Sequence, residues 1–150
     1  MQRGFFVLPV ERIAIRQVAA LAYRIDGPAK DGVSILLVTS RDTGRWVLPK
    51  GNMMVGIAPH RAAAREAEEE AGVRGTIARK PLGRFPYRKR RTAKRFDMAK
   101  VDVFALKVTK ELAKWHEQLQ RNRRWFTREE AAEMVDEPEL RALLRAAKLH

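Results

Sequence analysis

Hydrophobic and polar positions in the first third of the chain predict three strands. Residues 16–25 (RQVAALAYRI) and 33–39 (VSILLVT) are rich in apolar and β-branched residues, and the DGPAKDG segment between them has the composition of a turn. We therefore expect two adjacent strands joined by a loop. A second turn at residues 41–45 (RDTGR) leads into a short strand and a loop, formed by Trp46, Val47 and Leu48 and then by Pro49, Lys50 and Gly51.

Residues 59–71 predict a helix. The segment is dense in Ala, Glu and Arg, which favour helices, and Pro59 lies where the first helical turn accommodates a proline. Gly72 follows where a helix commonly ends, because glycine readily adopts the left-handed conformation of a C-terminal cap.

The segment after this helix predicts further strands. Residues 73–87 contain at least one strand, and residues 96–109 (FDMAKVDVFALKVT) form another mostly apolar run. Residues 88–95, between them, predict a basic loop. The pattern thus returns to strands after a single helix.

The C-terminal third predicts one strand and two short helices. The strand covers residues 123–126, and the helices lie on either side of Pro138. Thr127 suits the N-cap of the first helix because Glu130 follows three residues later. We expect the sheet to be covered by three leucines at helical spacing, which are Leu140, Leu143 and Leu144.

The order strand, strand, helix, strand, strand, helix lacks the strict alternation of a doubly wound parallel sheet. It predicts an α/β fold in which a mixed sheet is sandwiched between helices, an α/β/α arrangement. The chain has 150 residues, of which 45% are hydrophobic, and this is enough for one ordinary core. We therefore expect a single domain over residues 1–150.

The composition narrows the possible chemistry. The chain has no cysteine, which excludes disulfides, cysteine-based zinc sites and a thiol nucleophile. Its net charge of +13 favours polyanionic partners such as nucleic acid, nucleotides or polyphosphorylated metabolites. The first 16 residues lack the features of a signal peptide and no stretch approaches 18 apolar residues, so we expect a cytoplasmic location and no membrane partner.

Three glutamates share one face of the predicted helix. At 100° per residue, Glu70 lies about 40° and Glu69 about −60° from Glu66 around the helix axis. Glu68 lies on the far side and is expected to face water. We expect a neighbouring stripe of alanines to face the core, formed by Ala63, Ala64, Ala67 and Ala71.

The clustered carboxylates have two interpretations. Like charges at this spacing destabilise a helix by roughly 0.2–0.5 kcal/mol per pair, and a bound cation reverses the sign. Carboxylate oxygens are hard ligands of the kind that Mg²⁺ accepts together with substrate phosphates. The face therefore suits metal-dependent phosphoryl chemistry, and a solvated acidic face is the alternative.

Residues 51–73 resemble the Nudix box, written G x5 E x7 R E U x E E x G U, in which U is a bulky aliphatic residue. The corresponding residues are Gly51, Arg65, Glu66, Ala67, Glu69, Glu70, Gly72 and Val73. At average residue usage, the six matching Gly, Arg and Glu positions arise by chance less than about once per million windows. The resemblance implies a Nudix fold and an enzyme that hydrolyses phosphoanhydride bonds.

The resemblance also implies roles for these residues. Glu66, Glu69 and Glu70 would bind Mg²⁺ or Mn²⁺, with the backbone carbonyl of Lys50 as an extra ligand, and Glu66 is a candidate general base. In such an enzyme the metal neutralises phosphate charge and lowers the pKa of a bound water. Arg65 is expected to orient a neighbouring carboxylate of the helix rather than to contact the substrate.

Two positions depart from the Nudix box. Ile57 replaces its first glutamate, which removes an expected partner of Arg65, and Ala67 is smaller than the usual aliphatic residue. Because the three core glutamates are present, we expect Ile57 to tune metal affinity or rate. The alternative is a Nudix-like polyanion-binding module that is catalytically weak.

Outside the box, the chain is similar to the diphosphoinositol polyphosphate phosphohydrolase branch, which also hydrolyses dinucleoside polyphosphates. The similar segments are RQVAALAYR, ILLVTSRDTGRWVLPKG, VFALKVTKELAKWHE and RNRRWFTREEA, so the resemblance covers most of the chain. It implies a polyphosphorylated small-molecule substrate of one of these two classes.

Basic residues near predicted strand ends are the candidates for binding that substrate, because cationic side chains, above all arginine, recognise phosphate. They are Arg16, Arg24, Arg41, Arg45, Lys50, Lys100, Arg121 and Arg123.

A denser basic run allows three interpretations: a solvated loop, a lid over a polyphosphate, or an RNA contact. Its members are Arg88, Lys89, Arg90, Arg91, Lys94 and Arg95. The RNA interpretation implies removal of pyrophosphate from RNA 5′ ends. Aromatic residues interleave poorly with the run, which argues against a base-stacking platform.

Aromatic and histidine side chains add little to the prediction of the functional site. Five aromatic residues are candidates for stacking on a base, although aromatics in strands more often belong to the core: Trp46, Phe85, Tyr87, Trp125 and Phe126. His60, His116 and His150 share no metal-ligand spacing and are interpreted as incidental. The sequence leaves the oligomeric state open.

Overall fold

A mixed sheet of eight strands forms the centre of the computed structural model, which describes residues 15–27, 29–92 and 95–150, with the backbone alone at residues 90, 91 and 95. Expectations about residues 1–14, Pro28 and Lys94 lie outside the described residues. The elements are β1 (Ile15–Ile25), β2 (Val33–Thr39), β3 (Trp46–Val47), β4 (Lys50–Asn52), α1 (Pro59–Glu66), a π turn (Ala67–Ala71), β5 (Val73–Ile77), β6 (Gly83–Thr92), β7 (Arg95–Glu111), β8 (Arg123–Thr127), α2 (Arg128–Met134) and α3 (Pro138–Ala146).

The two central strands, β1 and β7, run parallel, in register from Ile15 opposite Ala99 to Tyr23 opposite Lys107. All other pairings are antiparallel: β2 and β4 with β1, β3 and β8 with β2, and β5 and β6 with β7. Because β1 is covered on both faces, its sequence is a continuous apolar run rather than an alternating one.

Helices cover both faces of the sheet, which confirms the expected α/β/α arrangement. On one face, Leu21 and Tyr23 of β1 join a core with α2 and α3, including Leu140 and Leu144 as expected. The capping box of α2 is present, since Thr127 and Glu130 each accept a hydrogen bond from the backbone N–H of the other.

On the opposite face, α1 and the π turn pack through alanines against small residues of β1. The expected alanine stripe is buried at Ala63, Ala67 and Ala71, which share a core cluster with Ala20 and Ala22, whereas Ala64 is only partly buried. Short side chains on both surfaces allow the helix backbone to lie close to the sheet. This packing sets the distance between the helix and the strands that meet it.

The helix predicted over residues 59–71 is not a uniform α-helix. It is α-helical from Pro59 to Glu66 and continues as a π turn, whose wider winding changes the angular spacing of Glu69 and Glu70 from the one assumed at 100° per residue. Gly72 ends it as expected, with φ of 65° and its N–H directed at the Ala67 and Glu68 carbonyls.

The basic loop predicted at residues 88–95 is wrong for most of its length. β6 extends to Thr92 and β7 begins at Arg95, so the two strands form a long hairpin in which Arg88 is opposite Met98. Cross-strand hydrogen bonding holds these charged residues in extended conformation, and the Arg88 guanidinium lies 4.8 Å from the centre of the Phe96 ring. Charge density alone therefore misidentified a strand as a loop.

Lys50 and Gly51 also differ from expectation, because they belong to strand β4 rather than to a loop. β4 pairs with β1, where Ala19 is opposite Lys50 and Val18 is opposite Gly51. The pairing fixes the Lys50 and Gly51 backbone beside the helix.

We expect Ala20→Leu to destabilise the protein by about 1–3 kcal/mol, because the added side chain overpacks the contact between β1 and the helix. Chemical denaturation measures the change. Ala146→Leu, at an exposed position of α3, is the matched control and should stay within about 0.5 kcal/mol of wild type. Equal stability of the two variants would contradict the close packing.

Candidate metal and phosphate site

Gly51 lies directly against the carboxylate of Glu66. A β-carbon at Gly51 would collide with that carboxylate, so glycine is needed here for close approach. Glu66 itself is only 8% exposed. The pairing of β4 with β1 therefore brings a backbone segment without a side chain onto the first glutamate of the motif.

Glu70 lies beside Glu66 and is held by the backbone of β4. Its carboxylate accepts a hydrogen bond from the Lys50 N–H at 3.2 Å, and it lies 3.6 Å from the Arg121 guanidinium. Glu70 is 6% exposed, whereas the side chain of Glu69 is 41% exposed. The structure thus buries two of the three motif glutamates and leaves the third partly exposed.

Burial makes the ionised forms of both buried glutamates costly. It raises the pKa of Glu70 to about 8, with the neighbouring charge of Glu66 adding to the shift and Arg121 opposing it. Burial also raises the pKa of Glu66, and the charges of Glu69 and Glu117 add to that shift. A divalent cation at this place would offset the cost, and a set of carboxylate oxygens suits a hard cation such as Mg²⁺.

Glu117 and Arg121 complete this cluster from a distant part of the chain. The Arg121 guanidinium donates to the Glu117 carboxylate at 2.7 Å and to the Thr39 carbonyl at 3.1 Å. Sequence reasoning proposed Arg121 but missed Glu117, which lies outside the motif. The available signal was the similar segment VFALKVTKELAKWHE, of which Glu117 is the last residue.

His116, interpreted from the sequence as incidental, lies close to two carboxylates of the candidate site. One ligand atom each of Glu69, His116 and Glu117 lie within 4.8 Å of one another. A carboxylate and an imidazole from the same loop therefore flank the exposed glutamate of the motif.

The cluster opens into a cleft of about 540 Å³. Basic side chains line it together with Glu66, Glu70 and Glu117; they are Arg41, Arg45, Lys50, Arg88, Lys89 and Arg121. Burial lowers the pKa of Lys50 to about 8, although the Glu70 charge opposes the shift. The cleft thus combines a carboxylate cluster with a cationic wall, the arrangement that a metal-bound polyphosphate requires.

Four of the basic residues proposed from the sequence do not line this cleft. Arg16 pairs at 3.1 Å with a buried aspartate of β7, and Lys100 is exposed on the same strand. The Arg24 guanidinium lies 4.2 Å from the centre of the Trp125 ring. Arg123 donates to backbone carbonyls at the end of the π turn.

Arg65 contacts the motif only loosely. Its guanidinium lies 3.9 Å from the Glu69 carboxylate and 3.7 Å from the sulfur of Met54. Ile57, which replaces a carboxylate in the motif, packs against the apolar cluster under the helix. Glu68, the glutamate expected to face water, pairs with Arg74 through two hydrogen bonds of 2.8 and 3.0 Å.

Comparisons with known proteins agree with the motif and the fold. A family model of the NUDIX domain matches residues 15–147. The chain is 39% identical over 105 residues to Nudix hydrolase 12, mitochondrial, of Arabidopsis thaliana, covering 68% of this chain and 52% of that protein. It is 33% identical over 122 residues to diphosphoinositol polyphosphate phosphohydrolase 3-alpha of Mus musculus, covering 80% and 68%.

Solved structures show the same fold. An Ap4A hydrolase of C. elegans in a binary complex has a TM-score of 0.62 at 24% identity, covering 88% of this chain and 93% of that one. A NUDIX hydrolase from Nitrosomonas europaea has a TM-score of 0.64 at 18% identity, covering 88% and 86%. The chain therefore belongs to the Nudix family, as the resemblance of its motif predicted, and has the fold of that family.

The alignments are partial for some relatives. The chain spans about half the length of the first two Arabidopsis proteins, at 52% and 53%. Within the described part of the chain, none of the helices combines the length and the apolar character that crossing a bilayer requires.

In the metal-free protein, we expect Glu70→Gln to increase stability at pH 7.5. The pKa of Glu70 in the folded protein, about 8, exceeds the ordinary glutamate value of 4.5, so the folded state binds more protons than the unfolded state between these two pH values. The free energy of unfolding therefore falls as pH rises through this window. Removing the ionisable group should recover about 1–3 kcal/mol at pH 7.5 and little at pH 4.5. Chemical denaturation in the presence of a chelator, carried out at both pH values, measures the change in the free energy of unfolding.

Glu68→Gln is the control on the same turn. Its carboxyl pKa is lowered by hydrogen bonding to Arg74, so the substitution should not stabilise the protein. Saturating Mg²⁺ should reverse the order of wild type and Glu70→Gln. A stability profile of Glu70→Gln that parallels wild type from pH 4.5 to 7.5 would contradict the burial argument.

Proposed function

We propose that this chain is a metal-dependent Nudix pyrophosphohydrolase that cleaves phosphoanhydride bonds of polyphosphorylated small molecules. The observation that carries the proposal is the burial of Glu66 and Glu70, side by side on the family motif, in a cleft that six basic side chains also line. Two adjacent buried carboxylates are costly in the absence of a cation, and the basic wall complements phosphates.

The metal-binding residues that we propose are Glu66, Glu69, Glu70 and the backbone carbonyl of Lys50. Glu117 joins this set because its carboxylate lies in the same cluster. A bound Mg²⁺ or Mn²⁺ supplies charge neutralisation and a water of lowered pKa. Arg65, 3.9 Å from the Glu69 carboxylate, helps to orient that carboxylate.

The remaining residues act on the substrate and on the proton. Glu66, pressed against Gly51, is the candidate base that accepts the proton of the attacking water. Arg45, Lys50 and Arg121 line the cleft and hold phosphate oxygens. Water attack on phosphorus then yields two phosphorylated fragments without a covalent enzyme intermediate.

The cleft favours a densely phosphorylated substrate, a diphosphoinositol polyphosphate, over a dinucleoside polyphosphate. Tyr87 is the aromatic residue among the described cleft-lining ones, and the Lys50 ammonium lies 4.0 Å from its ring centre. Trp46 packs edge-on against Phe126, and the Trp125 indole N–H donates to a glutamate of β7. None of Trp46, Trp125 and Phe126 lines the cleft, so Tyr87 is the described side chain there on which a nucleobase would stack.

Two other functions are alternatives, and the activity measurements described below distinguish them. A polyanion-binding module without catalysis would arise from Ile57, and an RNA 5′-end pyrophosphohydrolase would use the basic hairpin. The cytoplasmic location expected from the sequence stays a prediction; three of the Arabidopsis relatives are named as mitochondrial.

We expect Glu70→Gln to lower kcat by about 10–100-fold or more with Mg²⁺, because it removes a charged ligand from the buried cluster. The rates are measured from phosphate-bearing products, which are identified by mass. The substrate panel contains diphosphoinositol polyphosphates, dinucleoside polyphosphates and 5′-triphosphorylated RNA. Glu68→Gln, which faces away and pairs with Arg74, is the matched control and should retain activity. Equal background rates of wild type and Glu70→Gln would favour the binding module.

We expect Lys89→Met to raise the KM for a diphosphoinositol polyphosphate about tenfold, because a lost charge-assisted phosphate contact costs roughly 1.5 kcal/mol. Lys89 lines the cleft, whereas Lys100, which the sequence also suggested, does not. Lys100→Met should therefore leave KM within about twofold. A larger effect at Lys100, or a kcat/KM higher for dinucleoside polyphosphates, would overturn the substrate assignment.

A further inference from the structure

The end of the π turn leaves four successive carbonyls that the helix itself does not satisfy. The N–H of Gly72 reaches back to Ala67 and Glu68, so the carbonyls of residues 69–72 need donors from elsewhere. An unsatisfied buried carbonyl is costly, and the donors that satisfy these four carbonyls therefore determine how firmly the turn is held.

All four carbonyls receive a donor from residues 112–123, which we name the capping segment. The Glu117 N–H donates to the Glu69 carbonyl at 2.9 Å, and the Trp115 indole N–H donates to the Glu70 carbonyl at 3.2 Å. The Gly72 carbonyl accepts from the Leu112 N–H at 2.7 Å. Each donor lies at least forty positions beyond its acceptor in the chain.

Arg123 makes the largest contribution to this cap. Its guanidinium donates to the Ala71 carbonyl at 2.8 Å, to the Gly72 carbonyl at 3.1 Å and to the Leu112 carbonyl at 3.1 Å. It also stacks on the Trp115 ring at 3.9 Å. The planar guanidinium can serve several acceptors at once, which lysine cannot do in the same way.

Trp115 fixes the same end of the turn by its shape. A β-carbon at Gly72 would collide with the indole ring, so the ring packs directly on the glycine that ends the turn. One indole therefore contacts Gly72, donates to Glu70 and supports Arg123. Neither Trp115 nor Arg123 lines the cleft.

We propose that Arg123 and Trp115 are positioning residues, which hold the backbone of the π turn so that the carboxylates of Glu69 and Glu70 keep their places in the cluster. The inference rests on the metal-dependent function proposed above. It gives Arg123 a different role from the phosphate contact that its position in the sequence suggested. Hydrogen-bonding partners behind metal ligands typically change affinity or activity by about 10–100-fold when they are removed.

The test compares Arg123→Met with Arg124→Met, which removes the same charge from the neighbouring exposed position of β8. Mn²⁺ affinity is measured by electron paramagnetic resonance, and amide hydrogen exchange of residues 66–73 is followed in the metal-free protein. Arg123→Met should weaken Mn²⁺ binding and lower kcat by about tenfold each. It should also accelerate exchange in this peptide and leave KM within about twofold, while Arg124→Met should match wild type.

Trp115→Phe is the second variant and serves if Arg123→Met does not fold. It keeps a ring over Gly72 and under Arg123 and removes only the donor to the Glu70 carbonyl, so we expect faster exchange in the same peptide and weaker Mn²⁺ binding. A raised KM with unchanged Mn²⁺ affinity in Arg123→Met would overturn the inference in favour of a substrate contact. Unchanged Mn²⁺ affinity and exchange in both variants would also overturn it.

The same measurements separate this inference from the proposed function. A wild-type protein that binds Mn²⁺ but turns over no substrate refutes the hydrolase, and the Mn²⁺ affinities and exchange rates of the variants still decide the positioning role. A wild-type protein that turns over substrate while Arg123→Met matches it in every readout refutes only the positioning role.

Discussion

Two carboxylates that are shielded from water and lie next to each other set the central constraint on this structure. Burial favours the protonated forms of Glu66 and Glu70, and neighbouring carboxylates make ionisation harder still: Glu66 raises the pKa of Glu70, while Glu69 and Glu117 raise that of Glu66. The fold nevertheless brings them together, since Gly51 has no side chain to keep the Glu66 carboxylate away from the sheet. A site of this kind is unfavourable by itself, and a bound cation would offset the charges of its carboxylates.

The surrounding packing can be understood as support for this unfavourable arrangement. Alanines let the helix lie close to β1, and β4 directs the Lys50 N–H at the Glu70 carboxylate. The capping segment then satisfies the carbonyls at the end of the π turn and also carries Glu117 and Arg121 into the cluster. The same stretch of chain thus donates hydrogen bonds to the backbone of the turn and places a carboxylate and a guanidinium beside the motif glutamates.

Much of the fold was predictable because the relevant signals are local. The apolar runs of β1 and β2, the alanine-rich helix and the capping box of α2 all depend on neighbours within a few residues. The π turn was not predictable, because a wheel at 100° per residue presupposes an α-helix. The β6–β7 hairpin was missed because cross-strand pairing, which holds its basic residues extended, leaves no trace in charge density.

The candidate site likewise contains residues that the sequence predicted and residues that it did not. The motif glutamates were singled out through the resemblance of residues 51–73 to the Nudix box, whereas Glu117 reaches them through the loop after β7 and has no motif of its own. Arginines near strand ends look alike in a sequence, yet Arg121 lies in the cleft, Arg24 stacks on Trp125 and Arg123 caps carbonyls. Only the acceptors around each guanidinium distinguish these roles, and those acceptors come from remote parts of the chain.

The parallel pairing of β1 with β7 has a consequence for how the protein comes into being. Paired residues of these strands lie 84 positions apart, as Ile15 and Ala99 do, and contacts of such high separation form late and slowly. During synthesis, β1 emerges long before its central partner, and the motif helix emerges before the segment that caps it. A nascent chain that carries the complete motif therefore still lacks both the strand on which its sheet depends and the donors that hold its π turn, so the metal binding proposed above should require the synthesis of residues 95–123.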